Sequence, residues 1–367
     1  MAASDADLSR RRAQLRTRLE RRNLAAWMMV PGPNLQYLTG LEVAASERLF
    51  LVVETADSGA FAVVPHFEAE RVSSSLKAIS GMRLFTYRDE TGPSPSLARA
   101  LGAISTRPAV LGAEFGVMRL FERAAVEGAV PRARWQPFDA EIAFLRQVKD
   151  TTETAALQHA AAIAREAAEA GIAAAVPGNS ELGVAAACAA VLAARNSHSP
   201  FGILVASGPR SADPHSGAGD RCLQAGDLVW IDVGAVVSGY CGDVTRTVAV
   251  GEVDAELLRA VNVVAEAQRQ AIAAVRPGVT AAAIDAVARS VIASAGFAEY
   301  FTHRTGHGLG LQAHEAPYIV DGNEEPLRPG MVFTVEPGVY LPGRGGARIE
   351  DDVLVTDDGA DVLTRGV

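Results

Sequence analysis

The chain has 367 residues, with 34 Lys+Arg against 43 Asp+Glu and a formal net charge of −9. At 49% hydrophobic and 21% charged it has a globular and not a disordered composition, and the length predicts two domains or one large one. The acidic balance excludes a broad electrostatic grip on nucleic acid, and the longest apolar stretch, Val184 to Ala194, is about half of the ~20 residues a bilayer crossing needs.

The N-terminal segment is rich in arginine (Arg10 to Arg12, Arg16, Arg18, Arg21, Arg22), with Leu8, Leu15 and Leu19 placed to form the buried side of a helix. No apolar run follows the arginines, and Asp5, Asp7 and Glu20 interrupt them, so an amphipathic helix is expected and not a secretory leader. Three scattered cysteines, Cys188, Cys222 and Cys241, form neither a disulfide framework nor a CxxC clip. A cytoplasmic protein with no membrane and no nucleic-acid partner is expected.

Short apolar runs at Ala25–Val30, Leu49–Val53, Phe61–Val64, Met82–Tyr87 and Ala109–Gly112 predict strands. Helical patterns at Phe67–Leu76, Ser96–Ile104 and Met118–Ala129 alternate with them, which predicts an α/β domain over residues 1–140. No glycine-rich phosphate loop stands at its strand–helix junctions. From Glu141 a long helical stretch, broken near Lys149 to Thr152, runs to Ala175 and opens a second domain over residues 141–367.

This second domain repeats itself. Pro177-Gly178-Asn179-Ser180 and Pro277-Gly278-Val279-Thr280 each open an alanine-rich helix on a good N-cap residue. Further on, Gly226 to Gly234 parallels Gly330 to Gly338. An α+β domain with pseudo-twofold symmetry is expected.

The repeat sets a carboxylate at the same point of each half, Asp232 and Glu336, inside or at the end of an apolar β-type run. A buried carboxylate must find a cation, a donor or a proton. Each strand is followed by a second acid, Asp243 and Glu350. Taken singly, Asp243 also fits a Gly-Asp turn, and Glu350 also fits an exposed acidic cluster with Asp351 and Asp352. A twofold arrangement brings all four to one axis, where two divalent metals would relieve their repulsion. His307, between Gly306, Gly308 and Gly310, is the fifth candidate ligand; Leu311 breaks a GxGxxG fingerprint. His215 and His314 remain as candidate acid/base groups or transition-state donors. His66, His159 and His198 are expected at the surface or in packing, and Cys241 as a buried inert thiol.

These residues resemble the pita-bread metallopeptidases, specifically the Xaa-Pro branch of prolidases and aminopeptidases P. Six stretches carry the likeness: Ala206 to His215, Ile231 to Gly234, Gly242 to Thr247, Gly306 to Gly310, Val335 to Gly338 and Arg348 to Asp351. The resemblance implies that Asp232 and Asp243 hold one metal with Glu350, while Asp243 and Glu350 bridge to a second held by His307 and Glu336. An oxygen-rich set with one imidazole suits Mn²⁺ or Co²⁺, with Zn²⁺ a further candidate. The resemblance also makes Glu336 the proton acceptor, gives His215 and His314 to the substrate, and makes Arg348 a partner that orients the Glu350 carboxylate.

Arg48, in Ser46-Glu47-Arg48-Leu49-Phe50, is similar to a Glu-Arg loop of bacterial prolidases that reaches a neighbouring subunit's site. It is the candidate ligand for a dipeptide's free carboxylate; Ser46 departs from the histidine frequent there. An Xaa-Pro dipeptidase acting as a homodimer on small peptides is therefore expected. Aminopeptidase P is the alternative. A metal-free creatinase-like C–N hydrolase and a non-catalytic binding module are disfavoured because the ligand set is intact.

Overall fold

The computed structural model describes residues 3–57, 59–79, 81–105 and 109–365. Two compact units divide between Arg146 and Gln147.

The first unit runs α1 (Asp5–Arg21), β1 (Ala26–Met29), α2 (Pro33–Thr39), β2 (Leu51–Thr55), β3 (Ala60–Pro65), α3 (Ala69–Ala78), β4 (Met82–Tyr87), α4 (Ser94–Ser105), β5 (Val110–Ala113), α5 (Leu120–Ala129), β6 (Arg134–Pro137) and α6 (Asp139–Gln147). Its sheet has the order β4-β3-β2-β1-β5-β6, with an antiparallel centre flanked by parallel pairs. β1, β2 and β3 are buried along their whole length, and the acid within them, Glu54 of β2, is paired with Arg12 and Arg16. A capping box between Ser4 and Asp7 starts α1, and Leu15 and Leu19 are fully buried. The division falls after 140 because α6 is tied to this unit. The Tyr37 hydroxyl donates to Leu145 O at 3.0 Å, and Arg146 donates to Asn34 Oδ1 at 2.7 Å.

The second unit contains α7 (Thr151–Ala174), α8 (Glu181–Ala194), β7 (Ile203–Ser207), β8 (Leu228–Val237), β9 (Tyr240–Ala249), α9 (Ala255–Ala274), α10 (Ala281–Ser294), β10 (Gly306–Gly308), β11 (Glu315–Ile319), β12 (Val332–Val335), β13 (Gly338–Leu341), β14 (Gly345–Arg348), β15 (Asp351–Val355) and β16 (Ala360–Val362). Each half is a helix pair followed by an antiparallel sheet, β7-β8-β9 in one and β11-β10-β12-β15-β16 in the other. The duplication holds at the level of single bonds. Ser180 and Thr280 cap α8 and α10 by accepting the Gly183 and Ala283 N–H groups. The Gly178 N–H donates to Leu223 O and the Gly278 N–H to Leu327 O, both at 2.9 Å.

The chain reverses between β8 and β9 at Ser238 and Gly239, which both have positive φ (52° and 85°), as a two-residue hairpin turn requires. Asp243 is therefore a mid-strand residue, and the Gly242-Asp243 turn does not occur. β9 is stitched to the chain around Glu350 by alternate residues. The Asp243 N–H donates to Asp352 Oδ2 (3.0 Å), the Glu350 N–H to Thr245 O (3.0 Å) and the Thr247 hydroxyl to Arg348 O (2.7 Å). This seam joins the two halves. No helix among the described residues is long and apolar enough to cross a membrane.

Gly242 lies where β9 presses on α7: a Cβ there would sit 2.5 Å from the Ala161 backbone nitrogen. Gly242→Ala should cost ~1–3 kcal/mol through overpacking, lowering the thermal unfolding midpoint by roughly 2–4 °C per kcal/mol. An unchanged midpoint would show that β9 can leave the helix freely.

Candidate metal centre

Period-2 alternation aims the carboxylates. In β8, Ile231 and Val233 join the apolar core while Asp232 between them turns to the opposite side. Asp243 stands opposite Gly234 in β9, Glu336 directly follows β12, and Glu350 directly precedes β15. These four acids and His307 line one cavity of about 520 Å³, with His215, His314 and Arg348 also on its wall.

One ligand atom each from Asp243, His307 and Glu350 lies within 4.8 Å of the others. His307 Nε2 is 3.3 Å from Glu336 Oε1. Asp232 Oδ2 accepts from Arg348 Nη2 at 2.7 Å. Oδ1 of Asp232 and Oδ1 of Asp243 are both buried without a hydrogen-bond partner. Glu350 is buried and is no part of an exposed acidic cluster.

Burial, reinforced by Glu350 and Asp232, pushes the Asp243 carboxyl well above its ordinary range. Burial, with Glu336 and Asp232, does the same to Glu350. Burial raises Glu336 to about 7, against the pull of Arg348. His307 is held well below its usual value, first by burial and then by His314. The site is short of positive charge, and orphaned carboxylate oxygens beside a neutral imidazole are a divalent-metal donor set. Asp232, Asp243, His307, Glu336 and Glu350 are the residues that could hold such ions.

Neighbouring groups fix these donors. The Thr245 hydroxyl donates to Glu350 Oε2 at 2.6 Å, and the His307 backbone N–H donates to Thr334 Oγ1 at 3.1 Å. His307 Nδ1 faces Gly308 O at 3.2 Å, which leaves Nε2 directed at the acids. The glycines around His307 admit neighbouring backbone. A Cβ at Gly306 would lie 1.8 Å from Thr334 O, and one at Gly308 2.3 Å from Ala316 O.

His215 and His314 are exposed within the cavity, unlike the ligand candidates. The His314 ring meets His307 edge-on, with centroids 4.0 Å apart, and burial lowers its pKa. Arg348 differs from expectation: its guanidinium crosses from the end of β14 to Asp232 and Thr245 Oγ1, and reaches Glu350 only through that threonine. It also donates to the Tyr340 hydroxyl at 2.9 Å, which in turn meets His303 Nε2 at 2.9 Å. His303 and Tyr340 were not singled out from sequence. His303 stands four residues before His307, the one signal available; Tyr340 offers none.

Arg48 belongs to the first unit, where its Nε and Nη2 meet the two Asp89 carboxylate oxygens at 2.9 and 2.8 Å, and Nη1 meets Glu47. His66, His159 and His198 are exposed, and Cys241 is buried.

Residues 155–357 match the family described as metallopeptidase family M24, and residues 11–148 match the creatinase/prolidase N-terminal domain. The chain is 33% identical to an Xaa-Pro dipeptidase of Pyrococcus horikoshii, over 95% of this chain and 94% of that one. It superposes on a crystal structure of prolidase from Thermococcus sibiricus with a TM-score of 0.91 and 33% identity, over 98% of each chain. With the crystal structure of dipeptidase PepE from Mycobacterium ulcerans the TM-score is 0.89 and the identity 38%, over 100% of this chain and 98% of that one.

Proposed function

The chain belongs to metallopeptidase family M24, and from that membership we propose that it is an Xaa-Pro dipeptidase, cleaving the peptide bond before proline in small peptides. The observation that carries the proposal is the meeting of Asp243, His307 and Glu350 within 4.8 Å, beside the orphaned oxygens of Asp232 and Asp243. Relatives named prolidase and Xaa-Pro dipeptidase, matched over nearly the whole chain, support the substrate class.

Asp232 and Asp243 would hold one divalent ion, and His307 with Glu336 a second, with Asp243 and Glu350 shared between them. Mn²⁺ or Co²⁺ suits this set best, and Zn²⁺ is the further candidate. Such a pair lowers the pKa of a shared water toward neutrality and polarises a carbonyl oxygen.

The chain's own groups do the rest. Glu336, on the cavity wall beside His307, is the carboxylate placed to accept a proton from the attacking water. His314 and His215, accessible from the cavity, face the substrate as donors to the developing oxyanion or to the leaving imino nitrogen. Arg348 holds Asp232 in one orientation. Arg48 is the proposed ligand for the dipeptide carboxylate, serving a neighbouring subunit in a cytoplasmic homodimer. To do so it must exchange Asp89 for the substrate, which lowers its net contribution.

Exhaustive chelation should abolish Ala-Pro hydrolysis and Mn²⁺ should restore it. Asp243→Ala and Glu350→Ala should each lose both ions together by elemental analysis. Full activity after chelation would sink the proposal.

His314→Ala should keep its metal while turnover falls by ~10²–10⁴, the scale for a positioned acid or base. Loss of metal and fold together would contradict a substrate role.

Arg48→Ala should lower kcat/KM for Ala-Pro by roughly tenfold relative to a longer Xaa-Pro peptide, which has no carboxylate after proline. The ratio of the two substrates cancels any general loss of folded enzyme. A native preference for the longer peptide, with no change of ratio in Arg48→Ala, would favour aminopeptidase P.

A further inference from the structure

A buried ion pair beside the site has no part in the chemistry above. Lys149 Nζ lies 3.1 Å from Glu315 Oε1, with the two side chains 1% and 7% exposed. Desolvating two ions is costly, and replacing such a pair by apolar residues is often neutral or better, so stability is a weak reason for it.

The pair is instead built into the loop that carries His314. Glu315 directly follows His314, opens β11, and pairs with Gly308 next to His307. Its second oxygen accepts from the Gln312 N–H at 3.3 Å. Gly310 leaves room for the carboxylate, since a Cβ there would lie 2.4 Å from Oε1. One side chain thus organises the loop from Gly308 to Glu315.

Lys149 is itself held. Its N–H donates to Gly330 O at 2.8 Å, and Val148 bridges to Met331. Just beyond, in the first turn of α7, Glu153 Oε1 accepts from the Tyr240 hydroxyl at 2.9 Å, and the Cys241 N–H donates to Gly310 O at 2.9 Å. The start of α7 therefore ties the β8–β9 hairpin and the His314 loop to one point.

We propose that Lys149 and Glu315 are positioning residues that set His314 at the distance its substrate contact needs. The His314 ring rests edge-on against His307, and the loop backbone that carries it sets where it stands. A misplacement of ~1 Å can cost ~100-fold in rate. The inference rests on the assignment of His314 to the substrate.

The test is a double-mutant cycle in Mn²⁺ with Ala-Pro, using Lys149→Met, His314→Ala and their combination, with metal content and unfolding midpoint recorded for each. Lys149→Met should lower kcat by ~10- to 100-fold with KM and metal content nearly unchanged, and Lys149→Arg should recover part of the loss. In the His314→Ala background Lys149→Met should cost less than about twofold further, because the group it serves is gone. Losses that multiply in the double variant would overturn the inference and leave the pair purely structural. A loss at Lys149 with none at His314 would overturn the substrate role of His314 and the inference with it. Should Lys149→Met fail to fold, the same cycle is run on Lys149→Met/Glu315→Gln, which leaves no unpaired ion. Multiplying losses overturn the inference there too.

Discussion

Four carboxylates in one cavity are the constraint on which the second unit depends. Burial raises the Asp243, Glu336 and Glu350 carboxyls above their ordinary range, so each gains from a cation placed beside it. Arg348 supplies a fixed positive charge at Asp232, 2.7 Å away. That leaves orphaned oxygens on Asp232 and Asp243 and a charge deficit at the centre. A fold that accepts such a cost gains a rigid, desolvated cage for divalent ions, in which electrostatic effects are strong.

The duplicated architecture makes the cage possible. Each half contributes one carboxylate from an apolar strand and one from the chain that follows it. The β9 seam locks the two contributions in register. Because strand side chains alternate, the seam bonds at Asp243, Thr245 and Thr247 also set the spacing between Asp243 and Glu350. A one-residue slip of β9 would turn Asp243 to the opposite face of its sheet. Rigidity here is a property of paired backbone, with the side chains following.

A division of labour follows from exposure. Asp232, Asp243, His307 and Glu350 are buried; the Thr245 hydroxyl donates to the Glu350 carboxylate, and Thr334 accepts from the His307 backbone N–H. His215 and His314, suited to substrate, stand on loops at the cavity wall, where they can be reached. Loop residues need support from beneath, and the ion pair of Lys149 and Glu315 supplies it for His314.

Local sequence determined the apolar strands of the first unit, the caps of α8 and α10 and the burial of Asp232. Ser180 and Thr280 read as caps because a hydroxyl serves an N–H three residues away, and Asp232 reads as buried because its immediate neighbours are apolar. The duplication was legible for the same reason, as two copies of the same short-range pattern. Only the tertiary structure decided whether Asp243 was a turn or a mid-strand residue, since the reversal is set four residues earlier by Ser238 and Gly239. It alone paired Arg348 with Asp232 across 116 positions, Lys149 with Glu315 across 166, and Arg48 with Asp89 across 41. Short-range chemistry is written in adjacent residues, whereas a contact between distant side chains depends on the register and packing of every element between them.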